Sequence, residues 1–197
     1  MFKIDFYGVL CHNNFMDAST DTRNLIDKFK GLPNEEIVAE LDKSRIPLEI
    51  AIENLAHDFN IGTVVRNANA FNVARVHIIG KRKYNRRGAM VTDKYLHIDH
   101  FATVEEFMAD AHARNMKVVA VDNNRPESKP LASVELVPNS ILVFGSESDG
   151  ISQELLDVAD QAFYIEQLGS TRSINVGCAS AIAMYEAVRR LGLLPDA

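Results

Sequence analysis

From Pro47 onward, short apolar runs alternate with segments of helical periodicity almost to the end of the chain. Leu48-Glu49-Ile50-Ala51-Ile52 alternates on period two and reads as a strand. Val76–Gly80, Lys117–Val121, Ile141–Phe144 and Ala162–Ile165 are further strands, mostly apolar through their middles. Between them lie helical patterns. Ile61, Val64, Val65, Ala68 and Phe71 predict a helix over 61–72 with Asn60 as N-cap. Thr103 and Glu106 form a capping box before a helix reaching about Arg114. Ser152 caps a short helix through Val158, and residues 175–191 form the last helix. Strands that are apolar on both sides cannot face water. The expected class is therefore α/β, a parallel sheet covered by helices on both faces.

Residues 1–46 hold few apolar runs, and only Asn34–Lys43 shows a helical pattern, through Ile37, Val38 and Leu41. The chain is read as an extension at 1–46, of unassigned role, and a main domain at 47–197. Its 197 residues suit one domain of ordinary size, and 47% hydrophobic content supports a real core. Two cysteines, Cys11 and Cys178, cannot build a disulfide framework, and no Cys/His spacing suits zinc, so no metal is expected. No apolar run approaches the ~18 residues of a membrane helix, and the N-terminus lacks the order of a signal peptide. The expected location is cytoplasmic, with no membrane partner. The chain ends shortly after the last helix, so no large C-terminal module is expected.

In open parallel sheets, ligands bind at the carboxyl ends of strands. Three segments there are rich in Gly and polar residues: Asn54–Asn67, Gly145–Gly150 (GSESDG) and Leu168–Gly177. Arg66 points away from the apolar stripe of its helix, with Gly62 one turn before it and Asn60 and Asn67 on a neighbouring face. GSESDG is neither a Walker loop nor a dinucleotide fingerprint. Alone it is either a plain turn or a backbone cradle for a small ligand, with Glu147 as a polar contact. Ser173 or Asn175 is placed to cap the last helix. Small residues at Gly177, Ala179, Ser180, Ala181 and Ala183 allow close approach of another helix or of another subunit.

The net charge is −6, from 21 basic and 27 acidic residues, which argues against a generally basic nucleic-acid binder. Yet Lys81, Arg82, Lys83, Arg86 and Arg87 fall in one seven-residue run, and the other 16 basic residues face all 27 acidic ones, a net of −11. A flexible basic loop carrying Tyr84 suits phosphate contacts and base stacking.

Together these segments resemble the SPOUT superfamily, specifically its SpoU/TrmH-type RNA 2′-O-ribose methyltransferases, over about residues 47–192. The family's N-x-G-x-x-x-R motif resembles Asn60-Ile61-Gly62-Thr63-Val64-Val65-Arg66. Its apolar strand followed by G-x-E-x-x-G resembles Val143–Gly150, and its S-L-N-V motif resembles Ser173-Ile174-Asn175-Val176. Each pattern alone is weak; three in family order, each at a strand end or helix start, are specific. Two positions depart from the family: Gly177 replaces a frequent Ser, and Glu166 a common Pro.

The resemblance implies a three-layer parallel-sheet fold with a deep C-terminal trefoil knot, a homodimer, and S-adenosylmethionine as cofactor. It implies cofactor contacts at Gly145, Ile165, Leu168 and Ile174, largely through backbone atoms. It implies methyl transfer to a ribose 2′-hydroxyl of tRNA or rRNA, with Arg66 beside the partner chain's cofactor. Arg66, Ser173, Asn175 and Glu147 are the candidate catalytic residues. Asn60, Arg66, Lys81, Arg82, Lys83, Arg86 and Arg87 are the candidate RNA contacts. A guanidinium stays protonated, so phosphate binding and hydroxyl polarisation suit Arg66 better than a base role. The rival expectations are an inactive RNA-binding relative and a methyltransferase with a non-RNA substrate.

Overall fold

The computed structural model describes residues 17–55, 60–133, 136–146 and 149–194. Its centre is a seven-stranded, all-parallel sheet: β1 (Ile46–Asn54), β2 (Val73–Gly80), β3 (Ile98–Phe101), β4 (Lys117–Val121), β5 (Lys129–Pro130), β6 (Ser140–Phe144) and β7 (Gln161–Tyr164). The spatial order is β3-β2-β1-β6-β4-β7-β5. The helices are α1 (Asn34–Asp42), α2 (Ile61–Ala70), α3 (Val104–Ala113), α4 (Gln153–Val158) and α5 (Val176–Arg190). The α/β class and all five expected helices are present. Strands β3 and β5, one at each edge, were not expected from the sequence.

The period-two alternation of β1 sorts its side chains. Leu48, Ile50 and Ile52 join one core with residues of α2 and α5, including Val64, Val65, Met184 and Ala187. Ala51 joins a second core with Phe107 and Met108 of α3 and Leu155 and Leu156 of α4. Helices therefore cover both faces, as the apolar strands require. Residues 17–46 are docked on this body. Phe29, Ile37 and Tyr95 form a small core with Leu25, Leu32 and Leu41 around them. Arg45 donates to the Tyr95 carbonyl at 2.8 Å and to Asn72 Oδ1 at 3.2 Å.

Glycines let α2 be approached from two sides. A Cβ on Gly62 would lie 2.8 Å from the Asn85 carbonyl oxygen and the Ala89 nitrogen, and one on Gly88 would lie 2.8 Å from the Thr63 nitrogen. The loop after β2 thus lies directly on the first turn of α2. On the other side, a Gly177 Cβ would lie 2.8 Å from Thr63 Cγ2, so α5 also meets α2 there. Asn67 fastens the helix pair, donating to the Gly177 carbonyl at 2.8 Å and to Ser180 Oγ at 2.9 Å.

The opposite face of β1 buries a charge. Glu49 accepts from Arg114, just past α3, at 2.8 Å and 3.0 Å, and from His77 of β2 at 2.7 Å. A carboxylate only accepts here, so His77 Nε2 carries the proton. Burial alone would push the Glu49 carboxyl up, but hydrogen bonds from His77 and Arg114 outweigh it and hold it down at about 2.

Two outcomes follow for stability. Glu49 ionises in the fold far below its ordinary value of 4.5, so its contribution is complete above pH 4.5 and lost as pH falls toward 2. The shift corresponds to about 3 kcal/mol. Urea denaturation across that range should show Glu49→Gln less stable at pH 7 and flatter in acid than the parent; an unchanged acid profile contradicts the network. Gly62→Ala should cost about 1–3 kcal/mol, because main chain must move. Gly169→Ala, with nothing within 4 Å, should leave the melting temperature unchanged.

Candidate active site

The carboxyl ends of β4, β6 and β7 and the start of α5 enclose a cavity of about 610 Å³. Its wall includes Asp122 and Asn123 after β4, Gly145, Ser146, Asp149 and Gly150 after β6, Ile165 and Gln167 after β7, and Arg172–Val176 leading into α5. This is the end of a parallel sheet where ligands bind, and the volume suits a small organic molecule.

Ser146 and Gly150 of the GSESDG segment meet, exchanging main-chain hydrogen bonds at 3.0 Å in both directions. A Cβ on Gly145 would lie 2.0 Å from the Gly150 carbonyl, so only glycine fits, and Gly150 itself has φ +70°. Asn123 Nδ2 donates to the Arg172 carbonyl at 3.0 Å, tying the segment after β4 to the one after β7.

Asn175 joins the first and third sequence motifs. Its Oδ1 caps α5, accepting from Gly177 N at 2.9 Å and Cys178 N at 3.3 Å. Its Nδ2 donates to Asn60 Oδ1 at 2.9 Å, a contact across 115 positions. The expected Asn60 cap on α2 is therefore corrected: Asn60 makes no side-chain cap bond and points to Asn175 instead. Ser173 lines the cavity beside Asn175 and does not serve as the cap.

Of the expected cofactor residues, Gly145, Ile165 and Ile174 line the cavity. Leu168 is fully exposed and lies off its wall. Glu147 lies outside the described residues. Arg66 is exposed on α2, one turn beyond Gly62, and is not part of this chain's own cavity wall. It forms no salt bridge among the described residues.

The main chain of the basic run is anchored at its start. Asn54, at the end of β1, donates to the carbonyls of Lys81 and Lys83. Lys81, Arg82, Lys83, Arg86 and Arg87 are exposed, with Arg86 paired to Asp93 at 3.0 Å. Tyr84 corrects another expectation. It is half-buried and packs against the core, its hydroxyl is buried, and burial raises its pKa. Its ring is therefore not displayed for base stacking.

Sequence reasoning did not single out Asp122, Asn123, Gln167 or Arg172, which follow strands without any periodic signal. Gln167 bears on what the cavity holds. Its side-chain oxygen is buried with no hydrogen-bond partner among the described residues, leaving an acceptor available at the wall. Apolar residues Val121, Phe144, Ile165, Ile174 and Val176 stand beside Asp122, Asn123, Ser146 and Arg172. That mixture suits a ligand with a flat heteroaromatic part and a charged, hydrogen-bonding part.

Known proteins share this arrangement. The sequence model of the SpoU rRNA Methylase family matches residues 47–185. The tRNA (guanosine(18)-2′-O)-methyltransferase of Escherichia coli is 26% identical over 157 residues, spanning 78% of this chain and 68% of that protein. The enzyme of the same name from Aquifex aeolicus is 27% identical over 154 residues, spanning 76% and 72%. A crystal structure of the A. aeolicus TrmH/SpoU tRNA modifying enzyme superposes with a TM-score of 0.70 at 25% identity, covering 81% of this chain and 82% of that one. The match extends over the whole sheet and all three motifs, and the chain belongs to the SpoU rRNA Methylase family.

Proposed function

We propose that the protein is an S-adenosylmethionine-dependent enzyme that methylates a ribose 2′-hydroxyl of tRNA or rRNA. The observation that carries this is the hydrogen bond from Asn175 to Asn60, which ties the start of the Arg66 helix to a residue of the cavity wall that the other two motifs form. Both curated relatives described above act on a guanosine 2′-oxygen of tRNA by name. A solved SpoU methyltransferase, AviRb from Streptomyces viridochromogenes, contains AdoMet and shares the fold at a TM-score of 0.67 and 21% identity.

In this reading the cavity holds the cofactor. Gly145, Ile165 and Ile174, which line it, contribute mainly backbone contacts, and the orphan Gln167 oxygen accepts a hydrogen bond from an N–H group. When bound, S-adenosylmethionine supplies an electrophilic sulfonium methyl. Arg66 binds the phosphate beside the target ribose and polarises its hydroxyl, a task a permanently charged fork performs well. Ser173 and Asn175 orient Arg66 or the ribose, and Glu147 is assigned to orient the hydroxyl or take its proton. Asn60 and the exposed cations Lys81, Arg82, Lys83, Arg86 and Arg87 contact the RNA backbone.

Arg66 stands off its own cavity wall, which supports pairing with a second copy. The same reading takes the protein as a homodimer in which Arg66 works beside the partner's cofactor. An apolar groove of about 550 Å³, lined by Phe71, Leu131, Ile165, Ile182 and Tyr185, supports this. Ile182 and Tyr185 are 43% and 50% exposed on α5, an unusual display of large apolar side chains. The reading also includes a C-terminal trefoil knot, a methyltransferase domain at 47–197 with an extension at 1–46, and a cytoplasmic location. The interleaved order β6-β4-β7 supports the knot.

Arg66→Ala should lower labelled methyl transfer to cellular RNA by at least about 100-fold. Calorimetry should show S-adenosylmethionine still binding to the variant. Near-normal turnover by Arg66→Ala overturns the role given to Arg66.

A further inference from the structure

Strand β6 lies between β1 and β4, so the turn that leaves it is flanked by the ends of both. Each neighbour brings an acidic residue to that place, Glu53 near the end of β1 and Asp122 just past β4. Glu53 Oε2 accepts from the Ser152 N–H at 2.7 Å. Asp122 Oδ2 accepts from the Ile151 N–H at 3.1 Å, while its Oδ1 accepts from the Asn124 N–H at 2.7 Å. Two consecutive amides leaving the turn are thus held by carboxylates from opposite sides.

Neither carboxylate forms a salt bridge among the described residues. Glu53 is only 2% exposed, a costly place for an acid unless its partners require the charge. Packing is close at Gly150. A Cβ on Gly150 would lie 2.7 Å from Asp122 Oδ2 and 3.2 Å from Asn124 Nδ2. Asp122 reaches the turn because residue 150 has no side chain. Asp122 is itself anchored: its N–H donates to the Phe163 carbonyl at 2.9 Å, and its carbonyl accepts from Ser128 Oγ at 3.0 Å.

We infer that Glu53 and Asp122 are positioning residues that hold residues 149–152, the limb leaving the turn after β6, where it walls the cavity, and so set the affinity for S-adenosylmethionine. This rests on the reading of the cavity as the cofactor site. Glu53 lies off the cavity wall and reaches it only through a main-chain amide, so Glu53→Ala isolates positioning, whereas Asp122 also lines the wall. A plain stability role would lower the melting temperature without changing affinity in the folded protein. A positioning role changes affinity and the KM for cofactor more than it changes kcat.

The chemistry distinguishes their substitutions. Both Asp122 oxygens are engaged, so the amide of Asp122→Asn can satisfy only one of the two N–H donors and turns an NH2 toward the other. Glu53 holds Ser152 through one oxygen, which Glu53→Gln can replace and Glu53→Ala cannot. Calorimetric titration of the full chain with S-adenosylmethionine should show about tenfold weaker binding for Asp122→Asn and Glu53→Ala. Glu53→Gln should bind within about threefold of the parent. Full affinity in Asp122→Asn and Glu53→Ala, with a parent that binds, overturns the positioning role alone. A parent that does not bind S-adenosylmethionine overturns the cofactor reading of the cavity and the positioning role with it. Should the variants fail to fold, amide exchange on the parent decides: Ile151 and Ser152 should be protected without ligand, and exchange at open-loop rates overturns the inference.

Discussion

The site depends on how closely three stretches of main chain meet at the start of α2. Gly62 and Gly88 allow the basic loop to lie on one side, and Gly177 admits α5 on the other. Any side chain at Gly62 or Gly177 would meet atoms at 2.8 Å, too near for a real Cβ contact. Dispersion falls steeply with separation, so a close fit of this kind fixes α2 firmly. Arg66 inherits its position from that fit, one turn along the helix. The Asn67 bonds to Gly177 and Ser180, and the Asn60–Asn175 bond, then set the register between α2 and α5.

Charge is distributed with the same economy. The chain is net acidic at −6, which repels a polyanion over most of its surface. Positive charge is gathered in the loop that Asn54 and Gly62 hold against α2, beside the helix that bears Arg66. The buried Asn54 anchors the main chain that carries Lys81 and Lys83, which lowers the backbone part of the ordering cost of contact with a phosphate backbone. The acidic side chains of β1 face the other layer. Glu49 pairs with Arg114 and accepts a hydrogen bond from His77, and Glu53 accepts from a main-chain amide, so both carboxylates have partners of their own away from the cations of the basic loop.

Much of this was legible in the sequence, for reasons that can be assigned. The five central strands β1, β2, β4, β6 and β7 carry apolar runs because both faces are covered. Edge strand β3 is half-buried at every position, and β5 has two residues, so neither leaves a pattern. The Thr103 and Ser152 caps follow local rules and occur as expected. Asn60 does not, because a partner 115 positions away outcompetes the local amides. Tyr84 and Gln167 show the same limit: whether a polar side chain is displayed or buried is set by tertiary packing. The three motifs are legible through their resemblance to a known family, whereas the cavity residues after β4 follow only from the sheet order.

The most direct test of the central claim is the identity of the methylated atom. Transfer RNA and ribosomal RNA incubated with the protein and S-adenosylmethionine would be digested and the nucleosides resolved by mass spectrometry. The account predicts a nucleoside methylated on the ribose, with the adjoining phosphodiester resistant to alkali. A methyl group on a base, or no incorporation into any RNA by protein that binds the cofactor, would contradict it.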